Sequence, residues 1–325
     1  MPDVLVTGGT GFIGGALLRR LVSDGRDVRA LVRNESGDRV VADLGAEPIR
    51  GDLRNLSSIA RAVAGCRTVF HVAGINEICS SDVDQMHRVN VDGSRTIVAA
   101  AAAAGVERVV FTSSAAVIGE PPGVTASETT PFTGDLSAYG RTKRLAEEVV
   151  FATALDAGID VVAVNPASVQ GPGRTGGTAR ILLGFLTGRL RYAVDTTLSL
   201  VYIDDCIEAH LLAEQRGVPG ERYLVSGVTV TVPEALDLLA RVSGVERNVR
   251  MVPVWLVSAL APAVSAAFRL VRRQPPLCSE MTRIMRHGAA YDGSRISREL
   301  GLSYTPPEKW LAATIEWYRE LGLAG

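Results

Sequence analysis

The chain has 325 residues, 34 Lys plus Arg against 35 Asp plus Glu, a formal net charge of -1 and 47% hydrophobic residues. That length holds one large or two modest domains with ample core, and the near-neutral balance offers no electrostatic footprint for nucleic acid or a strongly anionic membrane. Arginine is the default cation: 32 of the basic residues are Arg, and only Lys143 and Lys309 are Lys.

Met1-Pro2-Asp3 runs straight into an apolar strand pattern at residues 4–6, leaving no room for the three parts of a secretory leader. Thr7-Gly8-Gly9-Thr10-Gly11-Phe12-Ile13-Gly14 follows and opens a helical pattern over 14–21. Glycines at 8, 11 and 14 give a strand-to-helix turn without Cβ atoms, so that a pyrophosphate can approach backbone N–H groups at the positive helix end. A second strand at 28–32 ends on Arg33, where an NAD site would place an acid on the ribose 2′-hydroxyl. Arg33 instead suits a 2′-phosphate, so NADP(H) is expected ahead of NAD(H), with a solvated strand-end cation as the rival reading.

Helical patterns at 56–64, 90–104 and 139–155 alternate with strand patterns at 68–72, 109–112 and 161–164. Near-continuously apolar strands separated by helices predict a parallel sheet covered on both faces, a doubly wound α/β domain of the Rossmann type. After Asn165 the character changes: Gly171-Pro172-Gly173 and Gly176-Gly177 mark loops, and aromatic residues rise from 6 in residues 1–165 to 11 in 166–325. The expected division is a dinucleotide-binding domain at 1–165, rejoined by 200–228, and a smaller α/β substrate-binding region from 166–199 and 229–325. Aromatic core packing explains the same aromatic count as well as an apolar substrate does.

Residues 254–268 are apolar apart from Ser258, Pro262 and Ser265, and Arg269, Arg272 and Arg273 follow. The stretch is shorter than the ~20 residues of a membrane span, and a buried or substrate-facing helix is expected over a peripheral membrane contact. Cys66, Cys79, Cys206 and Cys278 are scattered, with no C-x-x-C pair and no His at ligand spacing. Neither a disulfide framework nor a metal site is expected, and the compartment reads as reducing and cytoplasmic.

Tyr139 and Lys143 are four apart on a predicted helix and share one face. A carbonyl reductase needs a proton donor beside the oxygen that receives charge, and a phenol near pKa ~10 is a poor one unless a cation favours its phenolate. Lys143 offers a compact charge and rotatable donors that the rigid fork of Arg lacks. The pair follows the strand ending Phe111-Thr112-Ser113-Ser114, and α/β sites form at the carboxyl ends of strands. Ser114 can polarise a carbonyl; Ser113 reads as a backbone-bonded strand-end hydroxyl, and Asn90 also fits a helix N-cap. Asp204 and Asp205 have no second acid or His cluster to complete a metal shell, and His71 and His87 read as structural.

The glycine turn at 7–14, Gly51-Asp52-Leu53, His71-Val72-Ala73-Gly74, Asn90-Val91-Asp92-Gly93, Ser113-Ser114, Tyr139-Gly140-Arg141-Thr142-Lys143, Asn165-Pro166 and Val201-Tyr202-Ile203-Asp204-Asp205 resemble, in order, the extended short-chain dehydrogenase/reductase family. The resemblance spans roughly residues 3–215 and, more loosely, 291–318. It implies catalytic roles for Ser114, Tyr139, Lys143 and Asn90. It implies cofactor contacts for Gly8, Thr10, Gly11, Phe12, Ile13, Gly14, Arg33, Asp52, Leu53, Ala73, Gly74, Tyr139, Lys143 and Pro166, and a homodimer through the Asn90 and Tyr139 helices.

Members similar to dihydroflavonol reductase and 3β-hydroxysteroid dehydrogenase point to reduction of a small, apolar carbonyl substrate, or the reverse oxidation. A nucleotide-sugar epimerase with tightly held NAD is the alternative. A non-catalytic cofactor sensor is disfavoured by the retained Tyr/Lys pair, and a sugar dehydratase by Ala115-Ala116 where that group carries Asp-Glu.

Overall fold

The computed structural model describes residues 3–270 and 277–324. Met1, Pro2, Arg272, Arg273 and the Arg269 side chain, which entered the sequence reading, lie outside the described residues. The strands are β1 (Val4–Thr7), β2 (Val28–Val32), β3 (Glu47–Arg50), β4 (Thr68–His71), β5 (Arg108–Thr112), β6 (Asp160–Pro166), β7 (Ser168–Gln170), β8 (Tyr192–Val194), β9 (Thr197–Tyr202), β10 (Arg222–Val225), β11 (Val228–Thr231) and β12 (Arg250–Val252). The helices are α1 (Phe12–Ser23), α2 (Glu35–Asp43), α3 (Leu56–Val63), α4 (Val83–His87), α5 (Gly93–Ala103), α6 (Ala138–Ala157), α7 (Ala179–Leu186), α8 (Ile203–Arg216), α9 (Val232–Ser243), α10 (Val254–Leu270), α11 (Ser279–His287), α12 (Ser294–Leu300) and α13 (Pro307–Glu320).

Seven parallel strands form the central sheet in the order β10-β6-β5-β4-β1-β2-β3. Val4 of β1 pairs with Val28 on one side and Thr68 on the other. The chain therefore leaves β1 in one direction and returns at β4 to build in the other, which opens a crevice at the carboxyl ends of those two strands. β1 and β4 are buried along their whole length, as expected where helices cover both faces. One face packs Leu17, Leu18 and Leu21 of α1 with Ile207 and Leu211 of α8 and Leu300 of α12. The other packs Ile59, Ile97, Val98 and Val150 from α3, α5 and α6. The expected doubly wound parallel sheet is the observed one.

A smaller lobe holds the sheet β11-β9-β7 and the pair β12-β8. Its core gathers Phe185, Leu236, Leu239, Trp310, Ile315 and Tyr318 from α7, α9 and α13. Within residues 200–228, α8 and β10 pack on the large sheet, whereas β9 and β11 pair with each other in the small one. Asp205 joins the lobes: its carboxylate accepts bonds from Thr305 N and Oγ1 at 2.9 and 2.7 Å.

Two expectations need correction. Cys79 and Cys278 form a disulfide across 199 residues of sequence, so two of the four cysteines pair although their spacing gave no sign of it, and the inference to a reducing compartment loses its support. The apolar stretch after residue 253 is helical, as α10, but only in part buried. Ala261 and Ser265 face inward while Trp255 and Leu260 are 68% and 53% exposed, because α10 packs on α11 along one side only. Among the described residues no helix is long and apolar enough to cross a membrane.

Candidate active site

The glycine turn is dictated by close approach. Gly8 has φ +76°, and a Cβ there would lie 2.8 Å from the backbone of Ala73; a Cβ on Gly14 would lie 2.2 Å from Gly8 O. Gly11 caps α1 with no side chain on the first-turn N–H groups, and no acid lies in that turn. These donors are thus free for an anion. A cavity of about 440 Å³ borders the outer side of the turn, running from Gly9, Thr10 and Gly11 into the groove between α1 and α2 at Arg19, Val40 and Asp43. A dinucleotide phosphate fits the cradle of the turn. Thr7 Oγ1 ties the two strand ends, accepting from Ala73 N at 3.1 Å and meeting His71 Nδ1 at 2.7 Å. His71 is fully buried, and burial with the nearby Lys143 charge pushes its pKa down to about 3. It is a neutral strut with Ser94 on its other nitrogen at 2.9 Å; His87, half-exposed, sits 3.9 Å from Asp92.

At the other end of the crevice Arg33 is exposed at the tip of β2 and has no hydrogen bond or ion pair among the described residues. Asp52 pairs with Arg54 at 2.7 Å, and the Arg54 hydrogen bond, with Arg33 a lesser contributor, holds its carboxyl down at about 2. Arg54 was not singled out by the sequence, although it stands next to the Asp52-Leu53 pair that was. Leu53 is buried, and a Cβ on Gly93 would lie 3.1 Å from its Cβ.

The structure brings Asn90, Gly74 and Lys143 together. A Cβ on Gly74 would lie 3.2 Å from Asn90 Oδ1 and 3.9 Å from Lys143 Nζ. Asn90 is not a helix N-cap: α4 is capped by Asp82 and runs on through a π turn, Arg88–Asp92, into α5. The wider turn sets Asn90 inside the molecule, where Oδ1 accepts from Ile75 N at 2.7 Å and Nδ2 donates to Ile75 O and Thr142 Oγ1 at 3.0 and 3.2 Å. It thereby fixes the loop after β4 against α6, and π turns of this kind gather at functional sites.

Lys143 is 5% exposed. Its Nζ donates to Thr112 O at 2.7 Å and lies 4.5 Å from the Phe111 ring centre. Burial lowers its pKa to about 8, opposed by Glu147 one turn on. Glu147 in turn accepts from Asn165 Nδ2 at 2.8 Å and pairs with Arg222 at 3.0 Å, so a buried polar chain backs the site. Ser137 caps α6 through Gly140 N, which starts the helix at Ala138, one residue before Tyr139. Burial raises the Tyr139 phenol, and the Ser114 hydroxyl beside it and the Arg174 charge pull the other way. The lowered phenol expected from Lys143 is therefore not found in the chain alone, because desolvation dominates. Ser114 Oγ accepts from Ala116 N at 3.2 Å. Among the described residues Ser113 Oγ is buried with no hydrogen-bond partner, not backbone-bonded as expected; its amide donates to Val164 O at 2.7 Å. Pro166 is buried at the carboxyl end of β6.

Two residues at the mouth escaped the sequence reading. Glu280 accepts from Ala138 N at 2.9 Å and Cys79 N at 3.0 Å, so beside the disulfide it clips α11 to the loop after β4 and to the start of α6. Arg174 lies 5.5 Å from the Phe12 ring centre.

A single fold and one glycine-lined crevice thus define a dinucleotide-dependent enzyme class, and comparison with known proteins agrees. The model of the NAD dependent epimerase/dehydratase family matches residues 4–226, and the chain belongs to this family of extended short-chain dehydrogenases/reductases. It is 35% identical to sterol demethylase protein B of Methylococcus capsulatus, covering 98% of this chain and 99% of the relative. It is 34% identical to a putative dihydroflavonol 4-reductase of Synechocystis, over 98% and 94%. Among solved structures, gox2253 superposes with TM-score 0.86 at 30% identity over 100% of both chains. MoeE5 in complex with UDP-glucose and NAD gives 0.77 at 26% identity over 98% and 99%. The protein is an NAD(P)-dependent oxidoreductase-type enzyme.

Proposed function

We propose that the enzyme reduces the carbonyl of a small, apolar substrate with NADPH, or oxidises the matching alcohol with NADP+. The observation that carries this reading is the meeting of the β5 end, with Ser114, and the α6 face, with Tyr139 and Lys143, beside the glycine cradle. When bound, the reduced dinucleotide supplies the hydride. Tyr139 then donates its phenolic proton to the carbonyl oxygen as the alcohol forms, and Ser114 donates a hydrogen bond to the same oxygen. Lys143, with Asn90 and Thr112 around it, holds the ribose side and stabilises the phenolate left behind. Burial of Tyr139 and Lys143 strengthens each of these interactions.

Arg33, exposed and unpaired among the described residues, supports NADP(H), since a free guanidinium is matched by a 2′-phosphate. The relatives named as reductases support a carbonyl substrate, and the apolar α10 supports its hydrophobic character. Residues 1–165 with α8 and β10 would act as the cofactor domain and the smaller lobe as the substrate domain, in a homodimer joined through the Asn90 and Tyr139 helices. Epimerisation of a nucleotide sugar with NAD is a second reading, favoured by the likeness to MoeE5; the unpaired cation at Arg33 weighs against it. Tyr139→Phe tests the assignment: hydride transfer should vanish while NADPH binding, read by fluorescence, stays within about two-fold. A variant that still turns over removes Tyr139 from the mechanism.

A further inference from the structure

The loop Gly171-Pro172-Gly173-Arg174 leaves β7 and carries Arg174 to the mouth of the crevice. The guanidinium stacks over Phe12, and its Nε reaches Gly176 O at 3.4 Å. Behind it, the Arg174 carbonyl accepts a bond from Tyr318 Oη at 2.8 Å, and the Tyr318 side chain is fully buried in the small-lobe core. A Cβ on Gly173 would touch the Phe12 ring at 3.3 Å, so the loop can lie close against the glycine turn. The last helix thus anchors the loop backbone, and the Phe12 ring and Gly176 O set the guanidinium on it. Its charge reaches the Tyr139 phenol.

Arg26, Arg108, Arg144 and Arg295 are likewise partly buried, and each has a carboxylate within 3.2 Å. Arg174 has none among the described residues. A partly desolvated cation held in place without a counter-ion is costly, and the planar fork of Arg is matched by an oxyanion. We propose that Arg174 is the anion-holding residue of the crevice, taking an oxyanion that lies between the Phe12 turn and Tyr139. Two sources share that chemistry: an acid group on the substrate close to its reacting carbonyl, and the diphosphate of the dinucleotide. The substrate acid is the favoured source, because the loop and α13 that place Arg174 belong to the smaller lobe. The location of the reacting carbonyl at Tyr139 rests on the reductase reading; the anion site does not.

The test uses the full chain with Arg174→Gln and Arg174→Lys. NADPH affinity is read by nicotinamide fluorescence. Affinity of the NADP+ complex for 3-hydroxydecanoate and for its methyl ester is read by calorimetry. If the substrate acid is the ligand, wild type prefers the acid to the ester, Arg174→Gln erases that preference by about ten- to a hundred-fold, the span of one charge-assisted bond, and NADPH affinity is unchanged. If the diphosphate is the ligand, Arg174→Gln weakens NADPH by a similar factor and wild type shows no preference for the acid. Arg174→Lys, which keeps charge but not the fork, should fall between wild type and Gln in either case. Unchanged NADPH affinity together with no acid preference in wild type, or with a preference that survives Arg174→Gln, overturns the proposal. Every readout is binding, so a wild-type chain that binds NADPH but never transfers hydride defeats the reductase reading without touching Arg174.

Discussion

Lys143 sets the proposed chemistry against the stability of the fold. Its ammonium is buried and its pKa falls from 10.5 to about 8, so the native state binds this proton less tightly than the unfolded chain does. Between pH 8 and 10.5 the unfolded state holds more protons, and stability must rise with pH through that window. Below pH 8 both states are protonated and the full cost of the buried charge is present. At ~1.4 kcal/mol per pKa unit that cost is about 3 kcal/mol. Lys143→Met keeps the stem and removes the charge; it forfeits the contact with Phe111 and the bond to Thr112 O, and the Thr112 carbonyl loses about 1 kcal/mol of hydrogen bonding. The variant should therefore be more stable than wild type by about 2 kcal/mol at pH 7, less so by pH 10, and inactive. Urea unfolding at several pH values measures this. A Lys143→Met chain that is less stable than wild type at pH 7, or whose stability advantage does not shrink as pH rises, would refute the account of a costly buried ammonium.

Gly14→Ala drives a methyl to 2.2 Å from Gly8 O and should cost about 1–3 kcal/mol as overpacking while abolishing tight NADPH binding. Gly25→Ala, where nothing lies within 4 Å of the added Cβ, should cost only the ~1 kcal/mol of a left-handed backbone and leave NADPH binding intact. Arg33→Asp should move the ratio of NADPH to NADH affinity toward NADH by ten-fold or more, and an unchanged ratio removes Arg33 as the phosphate reader. Asp205→Ala breaks both bonds to Thr305 and should lower stability by about 2–4 kcal/mol, seen as a lower Tm with the catalytic groups untouched.

What the sequence made legible was local. The strands at β1, β2, β4, β5 and β6 announce themselves as apolar runs, and the turn at 7–14 and the Tyr139/Lys143 pair are periodic or contiguous patterns. β3 reads Glu47-Pro48-Ile49-Arg50, because an edge strand has one solvated side and tolerates charge and Pro; no apolar run marked it. The π turn at Asn90 leaves helical periodicity almost intact, so a helix start seemed to stand where a helix interior does. Glu280 and Arg174 act through the small lobe, reaching Ala138 and Phe12 across 142 and more than 150 residues of chain. Charged side chains on loops and short helices give no pattern for such long-range contacts, and the Cys79–Cys278 pair is hidden for the same reason.

That pair makes the chain from residue 79 to residue 278 a closed covalent ring of which β5, α6 and β6 are part. A protease that cuts within the exposed stretch around Gly123 and Phe132 would open the ring but release no fragment until a reductant was added. The two lobes are therefore threaded on one loop, and however that loop bends, the chain after β4 and the start of α11 stay joined.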